Sequence, residues 1–207
     1  MLRTIVTSTP ITTRVAGEPL SEVLAGEPFE VLELARGHAW GVSPVDGSVG
    51  FVASDALGPF IEATHIVSCP SAGALPLGTR LACDQTNASP LGVTLPDFVT
   101  VAETLATGRV PAVAGGRSGA GVDPAGLVFL CLSLAGVPAP RFVDLQAAQL
   151  GHLVADSAPV LRGDLVFFGD GVGIATGADT LVHVGADHVE IIGLDALGEV
   201  ALRRRLP

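Results

Sequence analysis

The chain of 207 residues contains no tyrosine and no lysine, one tryptophan and three cysteines. All eleven basic residues are arginines, and they stand against 21 acidic residues, for a net charge of −10 at pH 7. Because a chain this acidic repels polyanions, we expect neither nucleic acid nor an anionic membrane as a partner. The three arginines at 203–205 are too few to alter that expectation.

Cys69, Cys83 and Cys131 form an odd set without the spacing of a zinc site or of a disulfide framework. The sequence therefore predicts no bound metal and no cofactor. No window approaches the roughly 20 apolar residues of a membrane span, and the first residues lack the apolar core of a signal peptide. Cysteines without a disulfide pattern, in a chain whose first residues show no targeting signal, favour a cytoplasmic location.

Residues 1–60 read as short strands separated by Gly, Pro and Asp-Gly turns, which predicts a small β-barrel. Asp46-Gly47 is the signal of a β-hairpin. Trp40 is expected in the barrel core, since a lone tryptophan in so small a barrel is more often buried than ligand-stacking. Residues 61–95 add two short strands, His65–Cys69 and Thr79–Cys83, followed by a polar loop.

Residues 96–207 combine helices with an antiparallel sheet, which predicts an α+β domain. A first helix is predicted from Pro96-Asp97 to about Thr107, with Asp97 as its cap. A second begins with Asp123 as N-cap and Pro124 at the first helical position, and it is apolar on every side. A third helix over 143–150 precedes four strands between 165 and 192 and a last strand at 199–203.

Residues 123–128 read Asp-Pro-Ala-Gly-Leu-Val. This segment resembles the Asp-Cys-Ser-Gly-Leu-Val motif of NlpC/P60 cell-wall cysteine peptidases, in which the cysteine opens a central helix. Residues 138–146 resemble that family's Pro-Arg-x-x-x-x-Gln segment, and 162–168 its Pro-Gly-Asp-Leu-Val-Phe-Phe strand. Gly171–Ile174, followed by Leu181–His183, resembles its His-Val-Gly-Ile strand and the polar third residue one strand later. The resemblance implies a papain-like fold for 96–207.

The first 60 residues resemble the bacterial SH3 domains that accompany NlpC/P60 domains. The shared pattern is Leu-x-Gly-Glu-Pro-Phe-Glu-Val-Leu, then Trp-Gly, then Asp-Gly-Ser-Val-Gly-Phe-Val. In those relatives the strand after Asp-Gly often carries a tyrosine that faces the peptidase cleft, and Ser48 stands there in this chain. Residues 61–95 are then an abbreviated second SH3-like unit or an ordered connector.

The positions that carry the family's chemistry differ in this chain. The nucleophile position holds Pro124 and the general-base position holds Gly171, so only the third residue, His183, is retained. Neither proline nor glycine can supply a thiolate or an imidazole. The resemblance therefore implies a catalytically inactive member of the family.

The same resemblance places four candidate ligand-binding residues near the former site: Arg117, Asp123, Arg141 and His183, with Asp170 close by. Asp123 could hold a ligand amine, although its role as helix cap is favoured. His183 could orient a bound peptide, or it could equally be a histidine of the core.

Three functions compete on this evidence. The first is a non-catalytic homologue that binds murein-type peptide or regulates a catalytic paralogue. The second is an active hydrolase whose nucleophile has moved to Cys131, which we rank low because Leu and Phe side chains surround that thiol in the sequence. The third is a protein–protein interaction module that pairs through its SH3-like face and predicts an exposed apolar patch on the barrel.

Overall fold

The computed structural model describes residues 1–69, 75–93 and 97–207, which divide into two units. The first unit comprises Met1–Val93 with Ala114–Ala120, and the second comprises Thr94–Val113 with Gly121–Pro207. The predicted boundary between 95 and 96, the Pro96 start of the first helix and part of the joint between 69 and 79 lie outside the described residues.

The first unit contains a seven-stranded antiparallel sheet in the order β3-β2-β6-β5-β4-β1-β7. Its core is formed by Ile5, Ile11, Phe29 and their neighbours, which are fully buried. Gly47, in the predicted hairpin connection between Val42 and Val49, has a φ of +74°, the left-handed conformation that favours glycine. The strands are β1 (Leu2–Ile5), β2 (Thr9–Thr12), β3 (Pro19–Val23), β4 (Pro28–Ala35), β5 (His38–Val42), β6 (Val49–Ala53) and β7 (Leu57–Gly58).

The expectation that Trp40 lies in the barrel core is wrong. Side chains alternate between the two faces of a strand, and in β5 the inward positions are taken by Ala39 and Gly41. Adding a Cβ to Gly41 would bring it within 2.1 Å of the Glu30 carbonyl oxygen, so only glycine fits there. Trp40 therefore points outward and is 37% exposed.

A separate three-stranded sheet follows within the first unit, in the order β10-β8-β9. The first two predicted strands of this region are present in shortened form. The predicted polar loop Asp84–Pro90 includes a strand, because the 88–90 backbone pairs with β8. The strands are β8 (His65–Val67), β9 (Arg80–Leu81) and β10 (Ala88–Pro90), and the unit also holds β11 (Arg117–Ser118).

The second unit begins with helix α1 (Phe98–Thr107), whose N-cap Asp97 accepts a hydrogen bond from the Val99 amide. Helix α2 (Pro124–Leu134) follows the short strand β12 (Gly121–Val122) and is buried along nearly its whole length. Gly136, just past its end, has a φ of +72°, as helix termini often require. The predicted positions and caps of both helices are confirmed.

The rest of the second unit is helix α3 (Val143–Gln149) and a six-stranded antiparallel sheet in the order β13-β18-β14-β15-β16-β17. Four strands form the predicted meander, whereas the C-terminal strand β18 lies between β13 and β14. Helix α2 packs against two of the meander strands, and α1 packs against the same two and against a third. The predicted α+β class is confirmed. The strands are β13 (His152–Leu153), β14 (Leu165–Phe168), β15 (Gly171–Ala175), β16 (Thr180–Val184), β17 (Val189–Gly193) and β18 (Val200–Arg205).

Within the described residues, no helix combines the length and the apolar character that crossing a membrane demands.

Candidate functional site

Asp123 occupies the N-cap position of α2, and its Oδ1 accepts a hydrogen bond of 2.6 Å from the Gly126 amide. Its backbone is extended, as an N-cap requires, and Pro124 follows at the first helical position. The predicted capping role of Asp123 is therefore confirmed. Its role in holding a ligand amine stays a prediction.

Arg141 binds the same carboxylate from the segment that precedes α3. Its Nη1 donates to Asp123 Oδ1 at 2.9 Å and its Nη2 to Asp123 Oδ2 at 2.7 Å. The Arg141 side chain is 1% exposed, whereas that of Asp123 is 23% exposed. Two parallel charged hydrogen bonds fix both groups in one plane, so this pair stabilises the start of α2.

Gln146 holds the other side of the same helix start. Its Nε2 donates to the carbonyl oxygens of Ala125 and Pro140, both at 2.9 Å. This residue was not among the predicted site residues. The signal that could have identified it is the Pro-Arg-x-x-x-x-Gln pattern, in which the arginine and the glutamine both reach back to α2.

The sequence resemblance predicts the family's nucleophile and base positions at Pro124 and Gly171. Gly171 opens β15, opposite Phe168 of β14. A Cβ added at Gly171 would meet the Phe168 ring at 3.8 Å, which is an ordinary contact distance, and its backbone is not in the left-handed region. The fold therefore has room for a side chain at 171, and the sequence does not supply one.

His183 lies on β16 and contacts Phe168, with ring centroids 6.1 Å apart. Gly171 and His183 both neighbour the Phe168 ring. Glu190 pairs with His183 across β16 and β17, and its Oε1 is 3.4 Å from His183 Nε2. The two atoms are within ion-pair distance. They do not form a hydrogen bond, and Nε2 of His183 has no other hydrogen-bond partner among the described residues.

Cys131, the candidate relocated nucleophile, lies in the middle of α2 and has no exposed surface. Burial raises the pKa of its thiol far above the ordinary value, because the thiolate would lose its hydration. Both effects suppress nucleophilic reactivity.

Arg117 belongs to the first unit, where it is 2% exposed. Its guanidinium donates two hydrogen bonds to the Glu27 carboxylate, and its Nε lies 3.0 Å from Asp46 Oδ2. Its backbone amide donates to Glu22, whose pKa is raised by burial despite the hydrogen bonds that it accepts from Arg117 and Ser118. The Arg117 side chain is thus engaged with buried carboxylates of its own unit.

Asp170 lies exposed in the turn between β14 and β15. It makes no hydrogen bond or ion pair with the predicted site residues of the second unit. The structure joins Asp123 with Arg141 by hydrogen bonds, and it places Gly171 and His183 each beside the Phe168 ring.

Comparisons with known proteins agree with this architecture. Residues 14–57 match the family described as bacterial dipeptidyl-peptidase Sh3 domain. The structure is similar to that of an NlpC/P60 family protein from Bacillus cereus, with a TM-score of 0.84 and 17% identity over 100% of both chains. An NlpC/P60 endopeptidase from Photobacterium damselae subsp. piscicida has a TM-score of 0.67 and 12% identity, over 97% of this chain and 65% of its own. NlpC2 from Trichomonas vaginalis has a TM-score of 0.51 and 14% identity, over 99% of this chain and 96% of its own. No curated protein matches the sequence.

Proposed function

We propose that this chain, which has the fold of NlpC/P60 family proteins and a bacterial SH3 match in its first unit, binds murein-type peptide without cleaving it. The observation that carries the proposal is the pair of residues at the former nucleophile and base positions. Pro124 and Gly171 carry no titratable group, although the backbone at 171 would accept a side chain. An acyl transfer by thiolate and imidazole needs both groups within hydrogen-bond reach.

The surrounding scaffold supports a binding role. Asp123, Arg141 and Gln146 hold the start of α2 through hydrogen bonds between 2.6 and 2.9 Å. His183 is 16% exposed and keeps one buried ring nitrogen without a hydrogen-bond partner among the described residues. A scaffold of this kind can present polar groups to a peptide while lacking the means to attack its carbonyl carbon.

An active enzyme with Cys131 as relocated nucleophile has little physical support. The thiol is fully buried and its pKa is raised, so neither a substrate nor a general base reaches it in the folded chain. Substitution of Cys131 by alanine is therefore expected to leave every activity of the protein unchanged.

The proposal is tested by restoring the missing groups. Purified protein and the Pro124→Cys/Gly171→His double variant are incubated with muropeptides that contain L-Ala-γ-D-Glu, and the products are identified by mass spectrometry. We expect product from the double variant alone. The matched control is Pro124→Ala/Gly171→Ala, which makes the same backbone changes without the reactive groups.

A single variant tests whether the restored thiol also needs the restored base. Pro124→Cys alone should give little or no product, because its thiol lacks a base. Binding of the same muropeptides to the natural protein is measured separately by isothermal titration. Absence of binding by the natural protein, together with absence of product from the double variant, would overturn the proposed peptide-binding role.

A second function, that of an interaction module, is favoured by an apolar patch on the first unit. The outer face of β5 and β6 carries two cross-strand pairs, Trp40 with Phe51 and Val42 with Val49. Trp40 is 37% and Val49 45% exposed. We name these four residues the outer patch, and such a surface suits contact with a catalytic paralogue.

The two functions are separated by substitutions within the outer patch. Trp40→Ser/Val49→Ser should abolish any effect of this protein on the turnover of a catalytic NlpC/P60 paralogue, if the interaction role is correct. The matched control, Val113→Ser, replaces an exposed valine of the second unit. Muropeptide binding that survives the patch substitutions would assign the peptide site to another part of the chain.

A further inference from the structure

The second unit contains a pocket of about 360 Å³ that none of the predicted site residues lines. Its walls are mostly aliphatic and include Val160, Val166 and Leu194. Two charged residues complete it, Asp156 and Arg203. Its size is at the lower end of the range for small-molecule sites, and a few polar groups in an apolar cleft are typical of such sites.

Arg203 is the unusual member of this lining because it is only 7% exposed. It lies on β18 directly opposite Val166 of β14, so both side chains are on the same face of the sheet. Its Nη2 donates to the carbonyl oxygens of Ala155, Asp156 and Ala158, at 2.7, 3.1 and 2.9 Å. Its Nη1 is buried and has no hydrogen-bond partner among the described residues.

The positive charge of Arg203 also lacks a direct counter-ion. The charge of Arg203 helps to lower the pKa of Asp164, but the Asp164 carboxylate forms its ion pair with Arg205, at 2.6 Å. Asp156 offers Arg203 its carbonyl oxygen, while the residue itself is exposed. In the part of the chain that the structure describes, no carboxylate lies within ion-pair distance of the Arg203 guanidinium. A buried guanidinium without a counter-ion is costly, and an unsatisfied N–H adds to that cost.

We propose that this pocket binds a monocarboxylate with a short aliphatic chain. The carboxylate accepts from Nη1 of Arg203, which has no exposed surface in the unliganded chain and turns toward the pocket on binding. The aliphatic chain packs against Val160, Val166 and Leu194. A charged N–H donor suits a carboxylate because hydrogen bonds between two ionised groups are stronger than those between neutral groups. The exposed carboxylate of Asp156 at the same pocket disfavours a dianion such as phosphate. The ligand is either a free short-chain acid or the C-terminal end of a peptide, since both present this chemistry.

The test is a titration followed by NMR on the full chain, with isovalerate and its neutral isostere isovaleramide as probes. We expect isovalerate to shift the amide signals of residues at the pocket and to bind at least about tenfold more tightly than the amide. N-acetyl-Ala-Val with a free carboxylate, and the same dipeptide as its amide, distinguish the two sources. Tighter binding of the dipeptide acid assigns a peptide end, and tighter binding of isovalerate assigns a free acid.

Two variants link the binding to this pocket. Arg203→Lys keeps the charge but loses the planar donors, so it should weaken isovalerate binding about tenfold or more. Because Arg203 also holds the 155–158 loop, a second variant avoids it: Ala158→Leu fills the pocket from its wall and should abolish binding in a chain that still unfolds cooperatively. Equal binding of acid and amide, or unchanged acid binding by Ala158→Leu, would overturn the proposal.

Discussion

Arg141 donates one hydrogen bond to each carboxylate oxygen of Asp123, at 2.9 and 2.7 Å, while the same carboxylate caps α2. The arginine is buried and the aspartate is partly exposed. One carboxylate thus satisfies a helix N-terminus and a buried guanidinium together. Its position beside Pro124 means that the start of α2 is held firmly without any reactive group at its first turn.

Substitution of Arg141 by alanine should lower the free energy of unfolding of the second unit by about 3 kcal/mol. The reason is that Asp123 keeps its cap but loses its charge partner, and a buried volume is vacated. Urea unfolding followed by far-UV circular dichroism reports on this unit, since the three α-helices of the described residues belong to it. Arg14→Ala, at an exposed position of the first unit, is the control and should change stability by less than about 0.5 kcal/mol.

The carboxyl of Asp164 should make the stability of the protein depend on pH. Its burial raises the pKa, but hydrogen bonds from Arg205 and from the Leu161 amide more than offset this, so the pKa is below its usual value. A group whose pKa is depressed by folding contributes stability above its unfolded pKa of about 4 and loses it as the pH falls through the folded pKa.

Asp164→Asn should therefore cost about 2 kcal/mol at pH 7, and the difference from the natural protein should shrink as the pH is lowered below 4. Urea unfolding at a series of pH values measures it. Asp187→Asn, at an exposed position of the same unit, should show no such trend. A difference for Asp164→Asn that stays constant from pH 7 to pH 3 would contradict this account of the buried carboxyl.

The thiols should react in two classes. Cys69 and Cys83 are exposed and Cys131 is buried, so a thiol reagent should titrate two groups in the folded protein and the third only after unfolding. The reaction is followed spectrophotometrically with Ellman's reagent, with and without denaturant. Reaction of Cys131 at the rate of the other two thiols would reopen the hypothesis of a relocated nucleophile.

Removal of Arg117 should destabilise the first unit more than any exposed substitution. Arg117→Met leaves the buried carboxylates of Glu27 and Asp46 without their nearest cation, with Arg80 remaining at 3.9 Å from Glu27, which should cost about 3–5 kcal/mol. The single tryptophan, Trp40, reports on this unit by fluorescence. Adding Glu27→Gln should recover part of the loss, because one of the two buried negative charges is then removed. Arg14→Met is the matched control.

Local signals in the sequence are sufficient to predict the helices and much of the sheet. The start of α2 could be predicted because Asp123 and Pro124 act within one helical turn. The hairpin at Asp46-Gly47 could be predicted because Gly47 adopts a positive φ. Residue type alone misplaces Trp40, because Ala39 and Gly41 beside it decide which face of β5 points inward.

Contacts between distant residues could not be predicted from the sequence. Arg117 and Glu27 are 90 positions apart, and no local pattern indicates that the 114–120 segment folds with the first unit. Strand β18 lies beside β14 through a long-range pairing that the order of the strands does not specify. Glu190 could have been placed opposite His183, because the Ala186–His188 turn joins two adjacent strands of the predicted meander.

The central claim, binding without cleavage, is tested most directly by prolonged incubation of the natural protein with muropeptides containing L-Ala-γ-D-Glu, followed by mass spectrometry. We predict that the peptides are recovered intact at every time and protein concentration, while titration shows that they bind. Product that grows in proportion to protein concentration would contradict the claim. Persistence of that product in Cys131→Ala would further require a nucleophile other than the residues at 124 and 131.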